Sequence, residues 1–181
     1  MATRAVRLFG DPVLRQQASE VVDFDAQLRR LVDDLHDTLH VHDGAGLAAT
    51  QVGVLQRVFV WHGDGGEEGH LVNPVLAFPD EELQDGPEGC LSIPGLYFDT
   101  LRRLHTIAKG YDLHGRPLQI VGEGRMARVL QHETDHLDGV LFLDHLDPEA
   151  RKEAKRAIRE AEWSQPPEVR ASPHRVRGVL S

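Results

Sequence analysis

The strongest constraint in this sequence is the segment 131–136, which reads QHETDH and contains the pattern H-E-x-x-H. In a helix, residues four apart lie one turn apart on one face, so His132 and His136 would be neighbours. Two imidazoles in that position can hold one divalent metal ion, and the adjacent Glu133 can act as a general base. The alternative is a surface helix whose two histidines are unrelated. Apolar residues around the motif favour a packed helix; they are Met126, Ala127, Val129, Leu130 and Leu137.

Length, charge and cysteine content limit what the chain can be. Its 181 residues are enough for one domain with a buried core and few for two. The formal net charge of −9 argues against a coating of nucleic acid, and we expect no sequence-specific nucleic-acid binding. No apolar run approaches the roughly 20 residues of a membrane span. The single cysteine, Cys90, excludes an internal disulfide and fits a reducing compartment, so we expect a cytoplasmic protein with no membrane partner.

Helical spacing predicts one amphipathic helix before the motif and another after it. Leucines recur at that spacing in a helix capped by Asp23 or Asp25 and ending by Gly44. A charged helix follows Pro148 and runs to about Trp163. Its alanines and one isoleucine share a face, opposite a cationic face of Lys152, Lys155, Arg156 and Arg159.

The region between these helices is predominantly β. Strands are predicted at 57–61, 71–78, 101–109 and 117–121, with Asn73-Pro74 bending or ending the second one and the acidic segment 80–87 forming a loop. We therefore expect an α+β fold of one domain, 1–163, with antiparallel β-sheets packed around a central helix carrying H-E-x-x-H and helices flanking it at both termini. A proline-containing, flexible tail is expected at 164–181.

A third metal ligand is needed, and Cys90 is the best candidate because a thiolate is a strong ligand and the chain offers no partner cysteine. In its loop, EGCLS, a glycine frees the backbone and a carboxylate lies two residues away. The alternative is a small buried hydrophobic residue, the usual role of a lone cysteine. Two histidines and one thiolate would leave one coordination position open, as in catalytic sites. The ligand imidazoles also need hydrogen-bond acceptors, and Glu88 or Asp135 could serve.

Three segments together resemble the signature motifs of the peptide deformylases. They are GAGLAATQ at 44–51, EGCLS at 88–92 and QHETDH at 131–136. Their order and separation match those of the family, and the similarity extends from about Val6 to about Leu146. H-E-x-x-H is shared with many zinc peptidases, whereas the other two motifs are far more specific. The sequence is identified as a member of this family, of bacterial type, with 1–163 as its catalytic domain.

The resemblance implies removal of the N-formyl group from the formyl-methionine of nascent polypeptides. It implies one Fe²⁺ per chain, for which Zn²⁺ or Ni²⁺ can substitute, and the matching ligands are Cys90, His132 and His136. Metal-bound hydroxide would attack the formyl carbon with Glu133 as general acid and base. Gln51 and the backbone N–H of Leu91 match the groups that stabilise the oxyanion. A zinc endopeptidase, another amidase and a non-catalytic metal-binding protein are the alternatives.

The resemblance also implies a groove for the substrate. Gly46 and Gly89 match residues that bond the peptide backbone, and Tyr97 is a candidate for the edge of the groove. Family members usually place aliphatic residues before the first histidine, where this chain has Arg125 and Arg128. Their stems could pack while their heads reach water, or they could reshape the methionine pocket. The substrate-binding candidates are Gly46, Gly89, Tyr97, Arg128 and Val129.

The cationic face of the last helix has two interpretations. It is either a solvated face partly neutralised by neighbouring glutamates, or a docking surface for the ribosome. The second interpretation rests on the resemblance, since deformylases dock there through a C-terminal helix. A partner ribosome would then be contacted through the 148–163 helix.

Overall fold

The regular structure of residues 3–63 and 65–164, which this computed structural model describes, consists of nine strands, three α-helices and four short 3₁₀ helices. The strands are β1 (Gly46–Ala48), β2 (Val58–His62), β3 (Glu68–Ala77), β4 (Leu83–Gln84), β5 (Pro87–Cys90), β6 (Ile93–Asp99), β7 (Arg102–Arg103), β8 (His105–Tyr111) and β9 (Pro117–Glu123). The α-helices are α1 (Ala26–His42), α2 (Gly124–Leu137) and α3 (Pro148–Glu160). Apart from Ser164, the expected tail lies outside the described residues.

One five-stranded antiparallel sheet organises the fold, with the strand order β1-β2-β3-β8-β9. Two small antiparallel sheets, β4 with β7 and β5 with β6, complete the described β structure. Because side chains alternate along a strand, β2 contributes to two cores. Val58 and Val60 pack in the core with α1, whereas Phe59 packs in the core with Leu130 of α2. The main sheet therefore lies between α1 and the motif helix α2, and the predicted α+β fold is confirmed.

The helix α1 begins directly after Asp25, one of the two predicted caps. The side chain of Asp25 accepts hydrogen bonds from the backbone N–H of Gln27 at 2.8 Å and of Leu28 at 3.1 Å. The helix ends before Asp43, which has a left-handed backbone conformation. Its buried face consists of Leu28, Leu31, Val32, Leu35, Thr38 and Leu39.

The helix α3 packs against β6. Asp147 caps its first turn, and Ala154 and Ile158 are buried against Ile93 and neighbouring apolar residues. The predicted apolar face of this helix is therefore confirmed. The Trp163 indole N–H donates to the backbone oxygen of Pro94 at 3.0 Å and fastens the segment that follows the helix.

One strand prediction and one loop prediction needed correction. The predicted strand 101–109 is divided into β7 and β8, and the predicted loop 80–87 contains the short strand β4. The pairing of β5 with β6 was not predicted, because Gly89, Pro94 and Gly95 disfavour strands locally. Asn73 does disturb β3, where the register shifts between Val72 and Val75. Among the described residues, no helix combines the length and apolar character that a membrane crossing requires.

Candidate metal centre and active site

The helix α2 places the two motif histidines side by side and out of solvent. His132 and His136 have relative exposures of 8% and 1%, and their ring centroids are 4.9 Å apart at an interplanar angle of 74°. The helix is held in place by Ala127, Leu130 and Leu137, which are fully buried. The two histidines thus do not belong to a surface helix, and the helical spacing brings them together as predicted.

The strand β5 ends at Cys90 and delivers its thiol to the two imidazoles. Cys90 Sγ lies 3.1 Å from His136 Nε2, and the donor atoms of Cys90, His132 and His136 all lie within 4.8 Å of one another. The Gln51 amide nitrogen and the Ser92 backbone N–H each point at the sulfur from 3.4 Å. One thiolate and two imidazoles form a donor set that fits a divalent transition-metal ion.

Behind His132, a buried carboxylate fixes the orientation of the ring. Glu88 Oε1 lies 2.7 Å from His132 Nδ1, so Glu88 is the acceptor that the sequence left undecided between two acidic residues. Burial by itself would raise the pKa of Glu88. Hydrogen bonds from His132 and Arg102 outweigh burial and hold that pKa well below its usual range.

Two arginines surround Glu88. Arg102 donates to both carboxylate oxygens, at 3.0 and 2.6 Å, and also to Asp135 at 2.7 Å. Arg128 donates to Glu88 at 2.9 Å and to the backbone oxygen of Thr100 at 2.7 Å. With its side chain only 12% exposed, Arg128 does not send its head into water. It is part of the buried ionic network that supports His132.

Asp135 has a different place in this network. Its Oδ2 accepts from Arg102 and lies 2.8 Å from His145 Nε2.

Sequence reasoning missed two residues near the centre. Arg102 joins Glu88 to Asp135, and the hydroxyl of Ser92 lies 3.2 Å from the Gln51 amide nitrogen. No local pattern marks Arg102, because its partners lie 14 and 33 residues away.

Glu133 is a buried carboxylate with one free oxygen. Burial raises its pKa to about 7, which the neighbouring His132 partly opposes. Among the described residues its Oε2 has no hydrogen-bond partner. A Cβ added at Gly46 would lie 2.4 Å from Glu133 Oε1, so glycine permits β1 to approach the carboxylate. A carboxyl with a pKa near neutrality can both accept and donate a proton.

A cleft of about 1050 Å³ lies in front of these groups, between β1 and β5. Its lining includes Cys90, Leu91 and Glu133. It also includes all five substrate-binding candidates, namely Gly46, Gly89, Tyr97, Arg128 and Val129. Gln51 stands beside the thiol of Cys90, as described above. The fold therefore gathers every predicted site residue around one centre.

Such a centre, a buried Cys-His-His donor set with an adjacent carboxylate facing a cleft, defines the class of metal-dependent hydrolases. The model of the polypeptide deformylase family matches residues 3–152. The chain belongs to that family, as the three motifs indicated.

Its relatives match along nearly the whole chain. A peptide deformylase of Parafrankia sp. (strain EAN1pec) is 54% identical over 180 residues, covering 98% of each chain. One of Acidothermus cellulolyticus is 56% identical over 179 residues, also covering 98% of each. The crystal structure of the Ehrlichia chaffeensis enzyme in complex with actinonin aligns with a TM-score of 0.84 at 33% identity, covering 90% of this chain and 99% of that one.

Proposed function

We propose that this chain hydrolyses the N-formyl group from the formyl-methionine of nascent peptides, as a metal-dependent peptide deformylase. The observation that carries the proposal is the convergence of the Cys-His-His donor set and Glu133 on one cleft. Family membership supports the same reaction.

In this proposal Cys90, His132 and His136 hold one divalent ion. The native ion is Fe²⁺, which Zn²⁺ or Ni²⁺ can replace. When bound, the ion supplies Lewis acidity, which lowers the pKa of water and polarises the formyl oxygen. The charged network behind His132 supports this residue as a metal ligand. When a carboxylate holds Nδ1 of an imidazole, Nε2 becomes a better ligand for a metal ion.

Glu133 acts as general base and then as general acid. It takes a proton from the attacking water while the water oxygen bonds to the formyl carbon, and it gives that proton to the amine nitrogen as the C–N bond breaks. The products are formate and a free amino terminus. Its free Oε2 and its pKa of about 7 support both roles.

The negative charge on the former formyl oxygen is stabilised by hydrogen-bond donors at the cleft. The Gln51 amide and the backbone N–H of Leu91 have this role. The Gln51 side chain is already oriented, because its Oε1 accepts from the Ala48 backbone N–H at 2.8 Å. Loss of such a donor typically raises the barrier by about 3–4 kcal/mol.

The peptide binds in extended form between β1 and β5. Among the described strands, β1 pairs only with β2 and β5 only with β6, so each has an edge available for a peptide backbone. Gly46 and Gly89 provide backbone bonding groups on the two edges. Tyr97, 69% exposed, borders the cleft, and Val129 and the stem of Arg128 line the pocket for the methionine side chain.

The proposed reaction is tested by Glu133→Gln, which should keep its metal and lose activity. We expect a fall of about 10²–10⁴-fold in kcat, because proton transfer is removed while the ligand set is intact. Anaerobically prepared, Fe²⁺-loaded protein is assayed with a formyl-Met peptide and with an unformylated peptide cleavable at internal bonds, and metal content is measured. Glu82→Gln, on an exposed residue, is the control. Cleavage of the internal bonds would show an endopeptidase instead.

Inhibition by actinonin provides a second arm of that test. The Ehrlichia chaffeensis enzyme binds this compound. We expect it to block turnover by the wild-type chain in competition with the formyl-Met peptide. Activity that is unchanged at saturating actinonin would contradict a shared active-site architecture.

We further propose that 1–163 is the catalytic domain, acting in the cytoplasm, and that α3 docks at the ribosome. The exposed face of α3 supports docking. Lys152, Lys155 and Arg159 are exposed there, and in the described structure none of them forms an ion pair. Arg156 is already paired with Glu160 at 2.9 Å.

A further inference from the structure

Four side chains with metal-binding donors meet on the opposite side of β2 from the motif helix. His36 and His40 are four residues apart on α1 and so share a face of the helix. His62 ends β2 and Glu68 begins β3, and the two are directly paired in the antiparallel register. Paired residues of neighbouring strands point to the same side of a sheet. Three elements thus direct donors to one place.

The donor atoms converge on a common point. Glu68 Oε2 lies 3.2 Å from His40 Nε2, 3.4 Å from His62 Nε2 and 3.8 Å from His36 Nδ1. The donor atoms of His36, His62 and Glu68 all lie within 4.8 Å of one another. The rings of His40 and His62 also touch, with centroids 4.4 Å apart. The separations among His36, His62 and Glu68 are those of ligands arranged around one ion.

Two of these nitrogens are buried without a hydrogen-bond partner. Within the described residues, His36 Nδ1 and His62 Nε2 have no partner and almost no solvent contact. Buried polar atoms are rarely left unpaired, because losing water without gaining a hydrogen bond is unfavourable. One carboxylate oxygen of Glu68 lies 3.2–3.8 Å from a nitrogen of each of the three rings and cannot satisfy all of them. A cation at the centre would satisfy the nitrogens and the carboxylate at once.

We propose that His36, His62 and Glu68 form a second metal site, which takes Zn²⁺, and that His40 lies beside it in contact with Glu68. Two imidazoles and one carboxylate are ligands that zinc accepts. The site shares no residue with the Cys90 centre. His40 and Glu68 are 59% and 53% exposed at their side chains, so an ion can enter from solvent.

The position of this site defines its role. The ion ties the second half of α1 to the turn between β2 and β3. The backbone N–H of His62 donates to Ala45 O at 2.9 Å, one residue before Gly46 at the catalytic cleft. The metal therefore braces β2 beside β1 and stabilises the fold, without contacting the reacting atoms.

Zinc stoichiometry tests this site, with zinc itself as the probe. The full-length chain is loaded with Zn²⁺, passed through a weak chelating column and analysed for metal. We expect two equivalents in the wild type and one in both Glu68→Gln and His62→Gln. Glu68 is half-exposed, so Glu68→Gln should fold normally. It therefore tests the loss of zinc even if His62→Gln has a folding defect. His114→Gln, an exposed histidine in the β8–β9 turn, should keep two equivalents.

Cobalt distinguishes the two centres independently of activity. Co²⁺ at the Cys90 centre gives thiolate-to-metal charge-transfer absorption, whereas Co²⁺ held by histidines and a carboxylate gives only ligand-field bands. We expect Cys90→Ser to keep one equivalent with no charge-transfer band, and Glu68→Gln to keep one equivalent with that band. One equivalent in the wild type, or a second equivalent that survives both Glu68→Gln and His62→Gln, would overturn the site and leave four side chains joined only by ion pairs.

Discussion

Glu88 supports the His132 ring, although the proposed mechanism uses it neither as a metal ligand nor as a proton carrier. Its side chain is 2% exposed and is bonded to His132, Arg102 and Arg128 at once. A buried carboxylate is tolerated only when it is fully paired, and here two guanidinium groups and an imidazole pair it. The same bonds keep its pKa low, so it remains ionised and holds the His132 ring.

Glu88→Gln should therefore weaken metal binding and the fold together. We expect metal affinity to fall about 10–100-fold, because the support of His132 is lost. The free energy of unfolding should fall by about 3 kcal/mol, because two arginines lose a buried charged partner. Competition with a chelator and urea unfolding measure the two effects.

The matched control is Glu81→Gln, which removes an ion pair of the same kind at the surface. Glu81 pairs with Arg103 at 2.7 Å but its side chain is 90% exposed. Exposed pairs contribute little, so both affinity and stability should stay near wild type. Equal effects of the two substitutions would show that burial of the Glu88 network has no special importance.

At the scale of elements, the contact of β1 with α2 sets the shape of the active site. The two elements meet at Gly46 and Glu133, where an added Cβ would overlap the carboxylate at 2.4 Å from Oε1. Gly46 is not in a positive-φ conformation, so alanine can adopt its backbone conformation without strain. A substitution here therefore tests only whether there is room for a side chain beside Glu133.

Gly46→Ala should displace the Glu133 carboxylate without unfolding the protein. We expect kcat to fall by about 10²-fold, the usual cost of a catalytic group displaced by about 1 Å. Steady-state kinetics with a formyl-Met peptide and thermal unfolding measure the outcome. Gly63→Ala is the control, since its added Cβ would come too close only to the end of the flexible Glu67 side chain, at 2.8 Å, and would meet the Glu67 backbone oxygen and the Trp61 ring at 3.5 Å, an ordinary contact distance. Unchanged kcat in Gly46→Ala would mean that the carboxylate need not lie against β1.

One face of the helix α3 packs against the core, and the opposite face carries exposed cations. Reversal of Lys152 and Lys155 to glutamate should weaken co-sedimentation with ribosomes at low salt and reduce its salt dependence, because phosphate contacts are lost. Turnover of a free formyl-Met peptide should not change. Reversal of Arg29 and Arg30, two exposed cations on α1, changes the net charge equally and is the control. If both double variants sediment like the wild type, the α3 face is only a solvated surface.

For the molecule as a whole, the described core ends with the segment that follows α3. A chain that stops after Ser164 should keep wild-type kcat and melting temperature, because Trp163 still bonds to Pro94. A chain that stops after Asp147 loses Ala154 and Ile158, which are buried against Ile93. It should lose roughly 3 kcal/mol or more, from the apolar burial of α3 alone. Thermal unfolding compares the two chains. A large loss after the first truncation would place essential contacts beyond 164.

Local patterns in the sequence were enough to predict the features that depend on residues close together in the chain. Helical spacing gave the pair His132 and His136, the buried face of α1 and its cap at Asp25, because each depends on residues within one or two turns. The three motifs gave the family and the candidate residues around the cleft. These features required no knowledge of how the elements pack.

Tertiary structure alone decided the contacts between residues far apart in sequence. It chose Glu88 rather than Asp135 behind His132, placed Arg102 between them, and turned the head of Arg128 inward. It also brought His36 to His62 and Glu68. Pairing of β5 with β6 and of β2 with β3 sets these distances. Such pairings are fixed by the burial of whole faces, which no single segment encodes.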